Sequence, residues 1–246
     1  MRVHLILTSI LLCASRVLGA QGATPTAAEV VANMNAHDTL REAASGGYTG
    51  SREYLLDNFR LQKRAQMLVR VTCDGTGTKH FEVMSEDGWK SASKRVLRQM
   101  LVAESDNSRP DARPLNRITS DNYTFRMIDT EPLDGREAYV IETMPKREDK
   151  SLFHGWIWVD TEDYALARVE GEPAKNPSLW TRKVQFVQQY HKVGAYWFPT
   201  ETTSVTEARV FGTTEVSIRY FDYKPALESP TQAPDFSITE AHYAKL

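Results

Sequence analysis

The sequence of 246 residues has few cysteines, no excess of basic charge and no long apolar run, three features that define common protein classes. It has two cysteines, and only Cys73 lies beyond the first 20 residues, so a chain cleaved there could form no intramolecular disulfide. The sequence contains 30 Lys and Arg residues and 32 Asp and Glu residues, which gives a net charge of −2. A nucleic-acid partner is therefore not expected, since its binding protein would present a basic patch or stripe.

The apolar run at the start of the sequence is too short to cross a bilayer. It covers residues 5–14, about half of the roughly 20 residues that a membrane span needs. It follows Arg2 and leads to small residues ending at Ala20, which is typical of a secretory signal. We predict a signal peptide over residues 1–20, cleaved after Ala20 or Gly22. The residue before Cys13 is a leucine where lipoprotein processing requires a small residue, so lipid attachment is not expected.

The sequence also lacks the local motifs of common enzymes. It contains no Gly-x-Ser-x-Gly elbow, no Gly-x-x-x-x-Gly-Lys loop and no Gly-x-Gly-x-x-Gly turn. Histidines with metal-ligand spacing are missing as well, because the five beyond the signal are scattered: His37, His80, His154, His191 and His242. We predict no catalytic residues, no metal site, no cofactor and no enzymatic activity.

Strand patterning is what the sequence has in abundance. Apolar and polar residues alternate in short segments separated by turn signals, of which Asp134-Gly135 is typical of a hairpin. Ten strands are predicted: Ser51–Arg64, Ala65–Asp74, Lys79–Asp87, Asn122–Thr130, Glu137–Pro145, Leu152–Thr161, Ala165–Glu172, Thr181–Lys192, Tyr196–Thr206 and Arg209–Lys224. So many sequential strands can form one sheet only if the sheet curls or splits.

Two segments have the period of a helix instead. One runs from near Pro25 to Ala44, with Thr24 or Thr26 as its cap, and the other covers Ser91–Ser105. The predicted fold class is mainly β (α+β): a curved antiparallel sheet forming an incomplete barrel, lidded by an N-terminal helix and an inserted helix. One domain would cover residues 21–224, and residues 225–246 would form a poorly ordered C-terminal arm.

The inward positions of such a barrel, with the apolar face of the inserted helix, would line a ligand cavity. Twelve residues are predicted there: Met67, Val69, Val96, Met100, Leu101, Phe125, Met127, Trp156, Trp158, Phe186, Ile218 and Tyr220. For the two tryptophans, which share one face of a strand, core packing is the favoured interpretation and a ligand contact the alternative. The acidic residues Asp160, Glu162 and Asp163 indicate a solvated turn rather than a carboxylate pair for glycoside hydrolysis.

Three segments resemble a known group of exported proteins. Phe153–Asp160 reads FHGWIWVD, residues 167–171 read ARVEG, and residues 197–199 read WFP. The chain resembles outer-membrane lipoprotein-sorting proteins of the LolA/LolB-like superfamily, and residues 176–182 resemble a signature of an uncharacterised branch. The resemblance implies an incomplete antiparallel barrel with a hydrophobic cavity under helices. The best-known members carry acylated lipoproteins across the periplasm.

Three functions follow from this pattern and this resemblance. The leading hypothesis is a soluble periplasmic carrier that binds lipoprotein acyl chains or lipids in a hydrophobic cavity for transfer to the outer membrane. Envelope membrane-protein complexes are possible partners. The first alternative is an interaction or regulatory module of the cell envelope with no transport role. An exported hydrolase is the second, and it would require a convergent polar site with a displaced pKa.

Overall fold

A single ten-stranded antiparallel sheet dominates the computed structural model, which describes residues 24–178 and 180–226. The strands are β1 (Tyr48–Asn58), β2 (Lys63–Cys73), β3 (Lys79–Gly88), β4 (Tyr123–Leu133), β5 (Arg136–Pro145), β6 (Phe153–Asp160), β7 (Leu166–Pro173), β8 (Thr181–Val193), β9 (Tyr196–Ala208) and β10 (Gly212–Pro225). The predicted signal peptide, its two cleavage sites and the arm beyond Ala226 lie outside the described residues.

The strand order is β3-β2-β1-β10-β9-β8-β7-β6-β5-β4, so β1 and β10 pair with each other inside the sheet, as its third and fourth strands. This pairing places Tyr54 opposite Ile218. In the described part of the chain β3 and β4 do not pair with each other and form the two edges. The mainly β, incomplete-barrel prediction is confirmed.

Helix α1 (Ala27–Ser45) begins and ends where its sequence provides caps. The Thr26 hydroxyl accepts a hydrogen bond from the Glu29 N–H, and the Glu29 carboxylate accepts one from the Thr26 N–H, a capping box. Gly46, with φ of +61°, ends the helix in the left-handed conformation that glycine adopts without strain. The predicted N-terminal helix is confirmed, with Thr26 as its cap.

The inserted helix, α2, covers residues 90–108 in three continuous parts: Lys90–Ala92, a π-helical turn Ser93–Leu97, and Arg98–Ser108. Its sheet-facing side carries Ser93, Leu97, Leu101 and Glu104 at a spacing of three or four residues. A further short helix, α3 (Arg113–Asn116), follows α2.

The boundary between the first two strands was predicted wrongly. The sequence pattern joined them at Arg64, whereas residues 59–62 form a turn. This turn contains neither glycine nor proline, the residues that usually signal one. It is held by Asn58, whose carboxamide accepts from the Leu61 N–H and donates to the Phe211 carbonyl and the Thr214 hydroxyl.

The concave side of the sheet holds two separate apolar cores, one under each helix. The α2 core joins α2 to β1, β2, β9 and β10, and its buried members are Tyr54, Leu56, Ala65, Met67, Val69, Ala92, Leu97, Leu101, Tyr196, Phe198, Val216, Ile218, Tyr220 and Tyr223. The α1 core joins α1 to β5, β6 and β7, and its buried members are Ala27, Val30, Val31, Met34, Ile141, Ile157, Val159 and Val169. Each helix therefore covers one half of the sheet and leaves a gap between the two cores.

Candidate functional site

A cleft of about 830 Å³ lies between the two helices. The C-terminal half of α1 forms one wall, and the end of α2 with α3 and the turn between β2 and β3 forms the other. The start of β9 closes one side of the cleft, and Gln188 of β8 contributes to its lining. Ligand sites in proteins commonly measure about 300–1,000 Å³, so the cleft has the size of a small-molecule site.

Aromatic side chains form one side of the cleft. Tyr48, Tyr196, Trp197 and Phe198 line it. The Phe198 ring stacks on the ring of Tyr223 at a centroid distance of 4.1 Å, and the Tyr48 ring meets both edge-on at 5.9 and 5.4 Å. These contacts anchor the aromatic surface to the α2 core, so it presents a rigid apolar face to whatever enters the cleft.

A buried ion cluster lies next to this aromatic surface. Glu104 of α2 accepts two hydrogen bonds from the Arg52 guanidinium, at 2.7 and 3.1 Å, and one from the Lys79 ammonium at 2.7 Å. Arg52 is 1% exposed, and its guanidinium lies between the rings of Phe81 and Tyr220, at 5.2 and 4.8 Å from their centroids. Lys79 and Glu104 reach the cleft surface, whereas Arg52 lies behind them.

The ion cluster stays ionised near neutral pH. Burial by itself would raise the pKa of Glu104, but Lys79 and Arg52 outweigh it and hold that pKa well below its usual range. Burial by itself would lower the pKa of Lys79, and the Glu104 carboxylate outweighs it and raises that pKa. Burial also raises the pKa of the neighbouring Tyr54 phenol to about 12. The cluster therefore holds two positive charges and one negative charge.

Two ion pairs lie at the rim of the cleft, and one of them connects its two walls. Arg113 of α3 pairs with Glu42 of α1 at 2.7 Å and donates to the Thr76 carbonyl in the β2–β3 turn. Arg41 pairs with Asp38 one turn earlier on α1 at 2.5 Å. At this rim each cation has its own carboxylate, whereas in the buried ion cluster two cations share one carboxylate.

The predicted cavity residues lie beside this cleft rather than in it. Nine of them pack into or against one of the two cores: Met67, Val69, Met100, Leu101, Ile218 and Tyr220 in the α2 core, and Phe125, Met127 and Phe186 in the α1 core. None of the twelve is among the described residues that line the cleft. That they line a ligand cavity stays a prediction, which would require a helix to move.

The structure corrects the placement of Trp156 and Trp158. Ile157 and Val159 take the concave positions of β6 and are fully buried in the α1 core. Strand alternation then puts both tryptophans on the convex face, where Trp156 is 42% exposed. Trp158 donates from Nε1 to Glu131 and lies under the Arg168 guanidinium at 5.0 Å. The two tryptophans therefore lie outside both cores and do not face the concave side.

Val96 is likewise misplaced by the sequence pattern. It is 38% exposed, whereas its neighbour Leu97 is fully buried. The sheet-facing side of α2 runs through Ser93, Leu97 and Leu101, and Val96 falls at its edge.

The acidic residues at the end of β6 and just after it do form a turn, but the carboxylate of Asp160 is not solvated. Asp160 is buried, pairs with Arg136 at 2.5 Å and accepts the N–H groups of Glu162 and Asp163. Burial by itself would raise the pKa of Asp160, and Arg136 together with the two N–H groups lowers it overall. These contacts fix the turn, and the lowered pKa of Asp160 is the opposite of the raised carboxyl pKa that a general acid needs.

Two further observations concern only the described residues. They contain no group of three or more His, Cys, Asp or Glu side chains that could hold a metal ion. No helix among them is both long enough and apolar enough to cross a membrane.

Comparison with known proteins places the chain in a family. A family model described as "Uncharacterized protein" matches residues 94–230, more than half of the chain. The chain belongs to this family. A comparison with curated proteins finds no match.

Several solved structures are similar to this family member. A domain provisionally named as an outer membrane lipoprotein-sorting protein domain, from Vibrio parahaemolyticus, is 14% identical with a TM-score of 0.41, covering 81% of this chain and 94% of that one. A DUF1329 family protein from Desulfovibrio piger is 12% identical with a TM-score of 0.43, covering 84% and 95%. A LolA superfamily protein from Nitrosomonas europaea is 13% identical with a TM-score of 0.39, covering 89% and 100%. All three likenesses are distant, with identities of 12–14% and TM-scores of 0.39–0.43.

Proposed function

We propose that this family member is an exported carrier that holds an amphiphile, the acyl chain of a lipoprotein or of a lipid, in the cleft between α1 and α2. The observation that carries the proposal is the pairing of two unlike surfaces in one cleft. Tyr48, Tyr196 and Phe198 offer an apolar face, and Lys79 and Glu104 offer a charged face beside it. An amphiphile has the same two parts, whereas a purely apolar or purely polar ligand would leave one face unmatched.

The expected affinity is moderate. Each methylene removed from water contributes about 0.8 kcal/mol, so an acyl chain placing about ten methylenes on the aromatic face would gain about 8 kcal/mol. The lost freedom of the ligand offsets a large part of this gain. Apolar contacts are also not directional, so a partner with a better cavity could accept the chain. That property suits transfer through the periplasm to the outer membrane, with envelope membrane-protein complexes as donor or acceptor.

The test is binding of an acylated ligand to the delipidated protein. Native mass spectrometry of the chain purified without detergent would first reveal bound lipid masses that are lost on organic extraction. The extracted protein is then titrated with a triacylated cysteinyl lipopeptide, and with the same peptide lacking acyl chains. We expect saturable binding of the acylated peptide only.

Two neighbouring alanines provide a matched pair of variants for locating the ligand. Ala43 and Ala44 are both exposed on α1, but only Ala43 lines the cleft. Ala43→Trp would fill part of the cleft without removing any existing contact, so we expect about tenfold weaker binding, a loss of about 1.4 kcal/mol. Ala44→Trp should bind like the parent protein.

Two results would contradict the proposal. Equal binding by both tryptophan variants would place the ligand elsewhere. An absence of any lipid or lipopeptide adduct would favour the interaction or regulatory module, which needs a protein partner and no acyl ligand.

A further inference from the structure

The ion cluster of Arg52, Lys79 and Glu104 has one positive charge too many. Two cations share a single carboxylate, and all three charged groups lie at or below the cleft surface. A charge withdrawn from water without a partner is unfavourable, and proteins normally pair it. The Lys79 side chain is 28% exposed, so water stabilises part of the surplus charge and an anionic ligand group would stabilise the rest.

Arg52 makes more contacts to oppositely charged and aromatic groups than Lys79 does, although its buried Nε has no hydrogen-bond partner among the described residues. Its two terminal nitrogens bind the two oxygens of Glu104, and the rings of Phe81 and Tyr220 flank it at cation–π distance. Lys79 binds one of the same oxygens, and its ammonium carries three donors. The surplus charge therefore lies on Lys79, which is also the cation that faces the cleft.

The other carboxylates of the cleft are engaged elsewhere. Asp74 accepts hydrogen bonds from Thr76 and Thr78 within the β2–β3 turn, Asp38 pairs with Arg41, and Glu42 pairs with Arg113. Among residues 24–178 and 180–226, Glu104 is the one carboxylate in ion-pair contact with Lys79.

We infer that Lys79 binds an anionic group, a carboxylate or a phosphate, carried by the ligand of this cleft. The inference rests on the proposed function and specifies its substrate class: an anionic amphiphile whose chain lies on the aromatic face. An ammonium held at a cleft surface forms charge-assisted hydrogen bonds to such a group, which are shorter and stronger than neutral ones. The negative charge of the ligand would complete the ion cluster.

The test compares ligands that share one chain and differ in the head. Decanoate, decyl phosphate and decanol are titrated calorimetrically into the full delipidated chain. We expect the two anions to bind about tenfold more tightly than decanol. This comparison uses the unmodified protein, so it does not depend on whether any variant folds.

Variants then assign the effect to Lys79. Lys79→Met should weaken decanoate binding about tenfold and leave decanol binding within about twofold, whereas Lys79→Arg should retain most of the preference. Lys94 is exposed on α2 and does not line the cleft, so Lys94→Met should behave like the parent protein. Thermal unfolding of each variant confirms that it is folded.

The outcomes separate this inference from the proposed function. Equal affinity for decanoate and decanol would overturn the inference and leave the carrier proposal standing. If none of decanoate, decyl phosphate and decanol bound, both the inference and the carrier proposal would be overturned. Inorganic phosphate and acetate are also titrated alone. If they bound as tightly as decanoate and decyl phosphate, the site would bind a free anion, and the inference of an anionic amphiphile would be overturned.

Discussion

Replacing Glu104 with glutamine tests whether the buried ion cluster holds α2 on the sheet. The Glu104 carboxylate is the anion shared by Arg52 on β1 and Lys79 on β3. Glutamine keeps the length and one acceptor oxygen but removes the charge. The substitution would leave two neighbouring cations facing each other without a carboxylate between them.

The size of the effect follows from the burial of the three groups. Removing one partner of a fully buried ion pair costs about 3–5 kcal/mol. The Glu104 side chain is 34% exposed towards the cleft, so solvent screens part of the interaction and the lower end of this range, about 3 kcal/mol, is expected. For a domain of this size about 1 kcal/mol changes Tm by roughly 2–4 °C. Glu104→Gln should therefore lower Tm by about 6–12 °C.

The assays are thermal unfolding for Tm and urea unfolding for the free energy of unfolding, both followed by circular dichroism, with Glu86→Gln as the matched control. Glu86 pairs with Arg98 at 2.8 Å on the outer side of α2, where the arginine side chain is about half exposed. Such a surface pair contributes about 0–1 kcal/mol. If Glu104→Gln lost no more stability than Glu86→Gln, the ion cluster would not stabilise the packing of α2 on the sheet. The argument that Lys79 carries a surplus charge would then be refuted.

Two further predictions use the same measurements. The pKa of Glu104 is lower in the folded protein than in the unfolded chain. The ionised carboxylate therefore stabilises the fold fully above the ordinary carboxyl pKa of about 4.3, and this stabilisation is lost as pH falls below that value. The parent protein should lose more stability than Glu104→Gln between neutral pH and pH of about 3. Leu101→Glu should destabilise the domain by several kcal/mol, since Leu101 is 6% exposed in the α2 core, whereas Val96→Glu on the exposed edge of α2 should change stability by less than about 1 kcal/mol. A Leu101→Glu protein that stayed fully stable would show that this face of α2 is not packed.

The architecture could be predicted from the sequence because strand alternation is a local signal. Ile157 and Val159 alternate with Trp156 and Trp158, and this pattern is sufficient to identify β6. It is not sufficient to orient the strand, because both sets are apolar. The orientation is set by tertiary packing: Ile157 and Val159 pack beneath α1, and the tryptophans lie on the opposite face of the sheet.

The cleft could not be predicted in the same way. Arg52 lies between Gly50 and Tyr54 on the inward side of β1, a position that alternation assigns to an apolar residue. Its partner Glu104 is 52 residues away, on a helix that reads as amphipathic with its charges outward. A polar residue at an inward position was the available signal, but the identity of its partners depends on tertiary packing.

The division of the concave side into two cores bears directly on how a ligand could enter. Each helix is fixed to its own half of the sheet by buried side chains, Val30 and Met34 on α1 and Leu97 and Leu101 on α2. Across the rim, Arg113 and Glu42 form an ion pair whose acidic partner is about half exposed. An ion pair with one exposed partner contributes about 1 kcal/mol, whereas unpacking one buried leucine costs about 2–5 kcal/mol. Widening the cleft between the helices is therefore far less costly than opening either core, so an acyl chain would enter between α1 and α2 and would not need to displace the residues beneath them.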